Sequence, residues 1–132
     1  MTEKLDVVGI GNAMVDAIIP SNQKEIEKHQ INRDSMNLID ENLKNTLHEN
    51  YTIKEMAGGG SLGNSMFGIT SLGGNGSFIG KIKNDEIGIY LQKDMMKEGL
   101  KFPLGFTSPD ISTGCCTIFV EEDGTRTMCT FL

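Results

Sequence analysis

The stretch AGGGSLGNSMFGITSLGGNGSFIG, residues 57–80, decides how the rest of this chain is read. Three consecutive glycines, Gly58, Gly59 and Gly60, let main chain approach a ligand closely because no Cβ intervenes. Ser61 follows as the expected cap of a helix. Leu62, Met66, Ile69 and Leu72 recur at spacings of four, three and three, the pattern of an apolar helical stripe. A helix that buries this stripe points its N-terminal N–H groups at a polar or anionic guest, which makes a small-molecule site the natural reading. The helix is expected to stop at Gly73 and Gly74, with Asn75 and Gly76 turning the chain into a strand over GSFIGKI.

Upstream, LDVVGI at 5–10 is an apolar run bounded by Gly11 and Asn12, as for a buried strand opening into a turn. GIGNAM resembles the opening of a dinucleotide fingerprint, but Ala13 and Met14 stand where the third glycine is needed and no helix start follows. Residues 15–19 read as extended and Pro20 closes them, which sets Asp16 within a strand or at its mouth. A carboxylate there is either solvated or working. QKEIEKH at 23–29 reads as a short exposed helix and SMNLID at 35–40 as a brief strand. Asp40 caps a helix carrying Leu43 and Leu47 and ending near Asn50, after which residues 51–56 lead, extended, into the glycines.

Downstream, Asn84 or Asp85 starts a helix with Ile87, Leu91 and Met95 on one face and Lys93, Lys97 and Glu98 largely outside it; Gly99 ends it. LKFPLGF, STGCCTIFVEE and TRTMCTF then read as three short strands. Asp123-Gly124 forms an expected two-residue hairpin turn that pairs Val120 with Thr127 and Ile118 with Cys129. Helices alternating with strands favour an α/β layered fold with a mostly parallel sheet, and the excursion at 15–39 suits a side sheet projecting from it.

At 132 residues, 38% hydrophobic and with net charge −6, the chain is the size of one ordinary domain. No apolar run approaches the roughly 20 residues of a membrane span, and the start has no signal-peptide apolar region, so neither a membrane nor secretion is expected and the cytoplasm is. An acidic balance without a basic cluster argues against nucleic acid. Cys115, Cys116 and Cys129 are an odd set whose first two members point to opposite faces of a strand, which suits buried reduced thiols. His29 and His48 lack ligand spacing, so no metal site is expected. TRTMCTFL has no polar tail, and Leu132 is expected to be a truncation point.

Two constellations carry chemistry. Gly58, Gly63 and Ser65 match the spacing of a phosphate-binding P-loop, yet Asn64 replaces the lysine that reaches the phosphates. Alternatively, Asn12, Asp16 and Asn64 suit a sugar ring. A carboxylate accepts two O–H bonds from vicinal hydroxyls and amides bridge donor to acceptor, while Gly59 and Gly60 bring main chain to the same ring. Taken singly, Asn12 is a turn former and Asp16 a solvated strand end.

DVVGIGNAMVD, SMNLID, AGGGSLGNSMFGITSLGGNGSFIGKIKNDEIG and the strand pair ending GTRTMCTFL together resemble the N-terminal part of a PfkB/ribokinase-family carbohydrate kinase, nearest its adenosine-kinase-like members. The resemblance implies an α/β fold, a partial ribokinase-like layered core with a small β lid formed by strands at about 15–39 and 112–131. It implies that residues 1–132 are the N-terminal portion of the kinase domain, with the catalytic and ATP portion absent. Asn12 and Asp16 would bind substrate hydroxyls, and Gly59, Gly60 and Asn64 would hold the sugar. Ser61 and the lid residue Met36 transfer more weakly. Leu62 and Met66 stand where the family commonly has small residues, and Lys83 where a glycine is often seen.

The family's catalytic Asp, in a Gly-Ala-Gly-Asp motif, has no counterpart here, and the Asn-x-x-Glu motif tied to Mg²⁺ belongs beyond this stretch. ATP and Mg²⁺ are therefore cofactors of the full-length enzyme, with their binding residues outside this chain, and no catalytic residue is assigned in it. The implied function is the substrate-binding part of an ATP-dependent kinase acting on a hydroxymethyl group of an adenosine-like nucleoside or a sugar, inactive alone. The alternatives are a non-enzymatic module that binds a sugar or nucleoside or self-associates, a homodimer through the lid strands being one form of that association, and behind it a P-loop nucleotide hydrolase.

Overall fold

The computed structural model describes residues 3–132. In chain order the elements are β1 (Val7–Ile10), β2 (Met14–Pro20), α1 (Gln23–Glu27), β3 (Met36–Leu38), α2 (Glu41–Asn50), β4 (Glu55–Gly59), α3 (Ser61–Ser71), β5 (Gly76–Ile79), α4 (Glu86–Lys97), β6 (Gly114–Val120) and β7 (Arg126–Phe131). The chain divides into two compact units, one made of residues up to Val15 with Ala57–Gly114, the other of Asp16–Met56 with Cys115–Leu132. No helix among the described residues is long and apolar enough to cross a membrane.

In the first unit β1 and β5 pair in parallel, Val7 opposite Gly76 and Ile10 opposite Ile79. Helix α3 packs on them because the strands carry glycine where the helix carries bulk. A Cβ on Gly9 would lie 3.0 Å from both Leu62 Cδ1 and Met66 Sδ, and one on Gly76 would lie 3.0 Å from Met66 Cε. Leu62 and Met66 thus fill the space left by the strand glycines. The helix begins one residue earlier than the serine-cap expectation. Gly60, with φ +79°, is the cap and makes no side-chain cap bond. Ser61 is helical, and its carbonyl accepts from Ser65 Oγ at 2.9 Å. The expected stripe also loses Leu72, which is 89% exposed. By then the chain has left the helix, with Gly73 N–H donating to Thr70 O and Gly74 N–H to Ile69 O.

Asp85 caps α4 by accepting from Gly88 N–H at 2.8 Å. Its carboxylate also accepts from Thr113 N–H at 2.9 Å and Thr113 Oγ1 at 2.7 Å. The buried face is Gly88, Leu91 and Met95, with Ile87 half-buried. LKFPLGF does not form the expected strand. It makes only two single parallel bridges, Ser77 with Lys101 and Ile82 with Phe106. Between them Pro103 has no N–H to give a ladder, and Gly105 turns the chain at φ +59°.

The second unit is built on a five-stranded sheet in the order β3-β7-β6-β2-β4. β3 runs parallel to β7 and β6 antiparallel to it. Its core is Ile19, Ile26, Leu47, Phe119 and Cys129, with Leu43, Tyr51 and Ile53 packed around them. Tyr51 and Phe119 meet edge to face, centroids 5.3 Å apart. Asp40 caps α2 as expected, accepting from Leu43 N–H at 2.8 Å. Residues 51–54 stay outside the strands, and β4 runs instead over Glu55–Gly59, into the glycine cluster.

The hairpin register differs by one residue from the two-residue-turn expectation. Thr117 faces Cys129, Ile118 faces Met128 and Val120 faces Arg126. The reason is a three-residue loop. Glu121 N–H donates to Thr125 O, Gly124 N–H donates to Glu121 O, and Gly124 sits at φ +86°, which is a type I turn closed by a left-handed glycine. All three cysteines are free and buried. Burial pushes the Cys115 and Cys129 thiols up to about 12, so both pack as small apolar groups.

Candidate functional site

Within the first unit, the candidate main-chain groups lie where β4 gives way to α3. The strand ends at Gly59, Gly60 makes the turn alone, and Ser61 is already helical. A Cβ on Gly60 would lie 2.9 Å from Met14 Cγ, 3.0 Å from its Sδ and 3.7 Å from Asn12 O. The structure therefore brings two sequence-predicted residues, Gly60 and Asn12, against each other through main chain. Asn12, Ser61 and Asn64 are exposed, Gly59 is buried, and Asn64 N–H donates to Gly60 O at 2.9 Å as the first helical bond. A one-residue connection cannot wrap a phosphate as a P-loop does, and the Ser65 hydroxyl is used inside the helix. The dinucleotide reading fails as well, because Gly11, Asn12 and Ala13 lead into β2 rather than into a helix.

A separate group of candidate side chains lies in the second unit. Ile19 of β2 is in the core with Ile26 and Leu47, so by strand alternation Asp16 and Ile18 take the opposite face. On β6, Thr117 Oγ1 meets His48 Nε2 of α2 at 2.8 Å, which puts Cys116 and Ile118 on that opposite face too. Cross-strand pairs extend it. Cys116 faces Thr130 and Ile118 faces Met128, while Met36 and Leu38 of β3 lie beside Met128 and Thr130. Asp16 and Met36 thus belong to one sheet face, which also carries Ile18, Leu38, Cys116, Ile118, Met128 and the Thr130 hydroxyl, with Val120 opposite Arg126 at its end. Burial raises the Asp16 carboxyl above its ordinary range. That half-buried position still leaves it within reach of a partner. The Cys116 thiol is pushed up, first by burial and further by the Asp16 charge, although Thr130 Oγ1 donates to its sulfur at 3.4 Å.

Several neighbours were not singled out by sequence. Met14 fills the space that a side chain at position 60 would need. Asp94 of α4 accepts from Gly58 N–H through Oδ2 at 3.0 Å. It lies at the border of a hollow of about 420 Å³ whose lining includes Ala57, Gly58, Asn64, Phe67 and Glu98. Its sequence signal is slight: it directly precedes Met95 on the flank of the buried stripe.

Asn22 and Glu25 spell Asn-x-x-Glu, but the structure uses them otherwise. Asn22 Oδ1 caps α1 by accepting from Glu25 N–H at 3.1 Å. The Glu25 carboxylate is held below its usual range by Lys28 and then by the Tyr51 hydroxyl. Among the described residues no three His, Cys, Asp or Glu side chains gather as a metal ligand set.

The description "pfkB family carbohydrate kinase" matches residues 29–132. A solved structure of a probable sugar kinase from Rhizobium etli is 34% identical, with a TM-score of 0.84 over 97% of this chain and 39% of its own. The adenosine kinase of Sinorhizobium meliloti is 35% identical, with a TM-score of 0.84 over 98% of this chain and 40% of its own. Anopheles gambiae adenosine kinase, 23% identical with a TM-score of 0.81 over 95% of this chain and 38% of its own, shares the fold. Comparison with curated proteins gave no match. The chain spans about two-fifths of the length of the solved structures it matches. With that match over most of its length and a ribokinase-like α/β fold, the chain belongs to the pfkB family of carbohydrate kinases.

Proposed function

We propose that this chain is the substrate-binding part of an ATP-dependent kinase that phosphorylates a hydroxymethyl group of a nucleoside, adenosine-like, or of a sugar. The observation that carries the reading is Gly60, held at φ +79° with its Cα side against Met14 and Asn12 main chain. This is a place where any side chain is excluded and peptide groups are offered instead. Gly59, Gly60 and the Asn12 and Asn64 amides hold the sugar, with Ser61 a lesser contributor. Asp16 accepts its hydroxyls. The sheet carrying Asp16 and Met36, with strands at about 15–39 and 112–131, acts as the lid, and its apolar face favours a nucleoside base over a bare sugar. Phosphoryl transfer needs a base for the attacking hydroxyl and charge stabilisation at the phosphates. Those groups, with ATP and Mg²⁺, belong to the rest of the enzyme.

Calorimetric titration of the chain with adenosine and with ribose tests this. Adenosine binding weakened about tenfold or more by Asp16→Asn and by Asn12→Ala, with no ADP release in a coupled assay, is the expected result. Absence of binding to both ligands, or turnover by the chain alone, would overturn it. A second reading is favoured by the sheet edge. β3 is the terminal strand and exposes Met36 and Leu38, which suits a homodimer through these strands. Sedimentation showing a monomer at all concentrations would remove it.

A further inference from the structure

The candidate glycines are useful only if their main chain is held still, and within the first unit the side chain that fastens them comes from a helix the sequence marks only as amphipathic. Asp94 Oδ2 accepts the Gly58 N–H at 3.0 Å. Around the same residue a Cβ would meet the Phe67 ring at 2.6 Å and 2.8 Å and Asp94 Oδ2 at 2.9 Å. Gly58 is thus clamped between the ring of α3 and the carboxylate of α4. The clamp lies one residue before Gly59 and two before Gly60.

We propose that Asp94 is a positioning residue for substrate binding. Its carboxylate fixes the peptide at Gly58 and so sets where Gly59 and Gly60 present their main chain. The proposal rests on the reading that these glycines hold the sugar. A side-chain oxygen at this distance suits the task because it gives the Gly58 N–H a fixed acceptor. α4 supplies a rigid base, capped by Asp85 and seated through Leu91 and Met95. Glu98 borders the same hollow one turn later without a bond to Gly58, and serves as the internal control.

Two readouts on the chain separate this from a general structural role. The first needs no ligand: hydrogen exchange at the Gly58 amide. Asp94→Ala should speed it about tenfold, Asp94→Asn, whose amide oxygen still accepts, should hold it within about threefold, and Glu98→Ala should leave it unchanged. The second is the adenosine dissociation constant beside the melting temperature. Asp94→Ala should raise the constant about tenfold with little change in melting, and Asp94→Asn should restore most of the affinity. Asp94→Gln, which moves the acceptor by one methylene, should give an intermediate loss and replaces Asp94→Ala should that variant not fold. Unchanged Gly58 exchange, failure of Asp94→Asn to rescue, or an equal affinity loss in Glu98→Ala overturns the proposal. Wild-type chain that binds no adenosine sinks the substrate-binding reading and with it the positioning role, whereas intact adenosine binding with unaltered Gly58 exchange in Asp94→Ala sinks the positioning role alone.

Discussion

At the start of α3 the candidate binding groups are main-chain atoms exposed by Gly59 and Gly60, whereas on β2 the candidate group is one carboxylate, Asp16, projecting from a sheet whose other face is packed. The first kind of site depends on conformation. Gly60 adopts a backbone geometry that L side chains rarely take, and Met14 already occupies the space. The second depends on chemistry, because strand alternation would direct any residue at position 16 to the same face. The surroundings differ in the same sense. The second unit seals Ile19, Ile26 and Phe119 completely on the helix side of its sheet, while β1, apolar on both faces as buried parallel strands are, leaves Ile10 77% exposed. A change in the glycine turn should therefore damage folding and binding together, and a change at Asp16 should separate them.

The largest effect that sharpens this contrast is expected for Phe119→Ala, which empties the centre of the second unit and should cost about 3–5 kcal/mol in urea unfolding. Tyr51, edge to face with Phe119, gives the fluorescence signal. Next comes Gly60→Ala. Forcing an L residue to φ +79° against Met14 should cost about 2 kcal/mol and weaken ligand binding as well. A variant with wild-type stability would break the claim that the turn requires glycine.

Asp16→Asn should then do the opposite. Burial raises the folded-state carboxyl, so the folded state holds the proton more tightly than the unfolded chain. The contribution of Asp16 to stability is therefore greatest below the ordinary carboxylate range and falls as pH rises through the folded value, the loss being complete above it. Asp16→Asn should abolish that fall, melt slightly higher than wild type at pH 7 and yet lose adenosine affinity. Melting curves between pH 3 and 7, with calorimetry at pH 7, check both halves, and a variant less stable than wild type at neutral pH would contradict the burial argument. The smallest effect belongs to Arg33→Ala. Its Nε donates to Glu121 Oε2 at 2.8 Å beside the hairpin, and its loss should lower the melting temperature only slightly, and less so in high salt, because exposed ion pairs contribute little and are screened.

Much of the fold was legible because its signals are local. The Asp40 and Asp85 caps, the Leu91–Met95 stripe and the alternation of β2 follow from neighbours in sequence. The misreadings share a cause. Asp123-Gly124 reads as a two-residue turn, but the loop closes at Thr125, and one added residue shifts every cross-strand pair of β6 with β7. Ser61 reads as a cap because serine is a good one, yet the turn before it needed a positive φ that only Gly60 could supply cheaply. Leu72 fits the helical spacing but is the C-cap, just past the last helical residue Ser71 and just before Gly73 turns the chain at φ +89°. Of the candidate site, Asn12 and Gly60 were readable as residue types. Their contact was not, because it joins positions 48 apart along the chain.

By itself, the sequence determined which residues have the chemistry to meet a polyol, where helices start and strands alternate, and that glycine governs residues 58–60. Only the tertiary structure decided that Met14 and Asn12 close on Gly60, that Asp94 holds Gly58 from another helix, and that Asp16 and Met36 share one sheet face. Caps and periodicity arise from bonds within a few residues, so a linear pattern records them. Close approach between distant segments is set by packing and register, which no local pattern encodes.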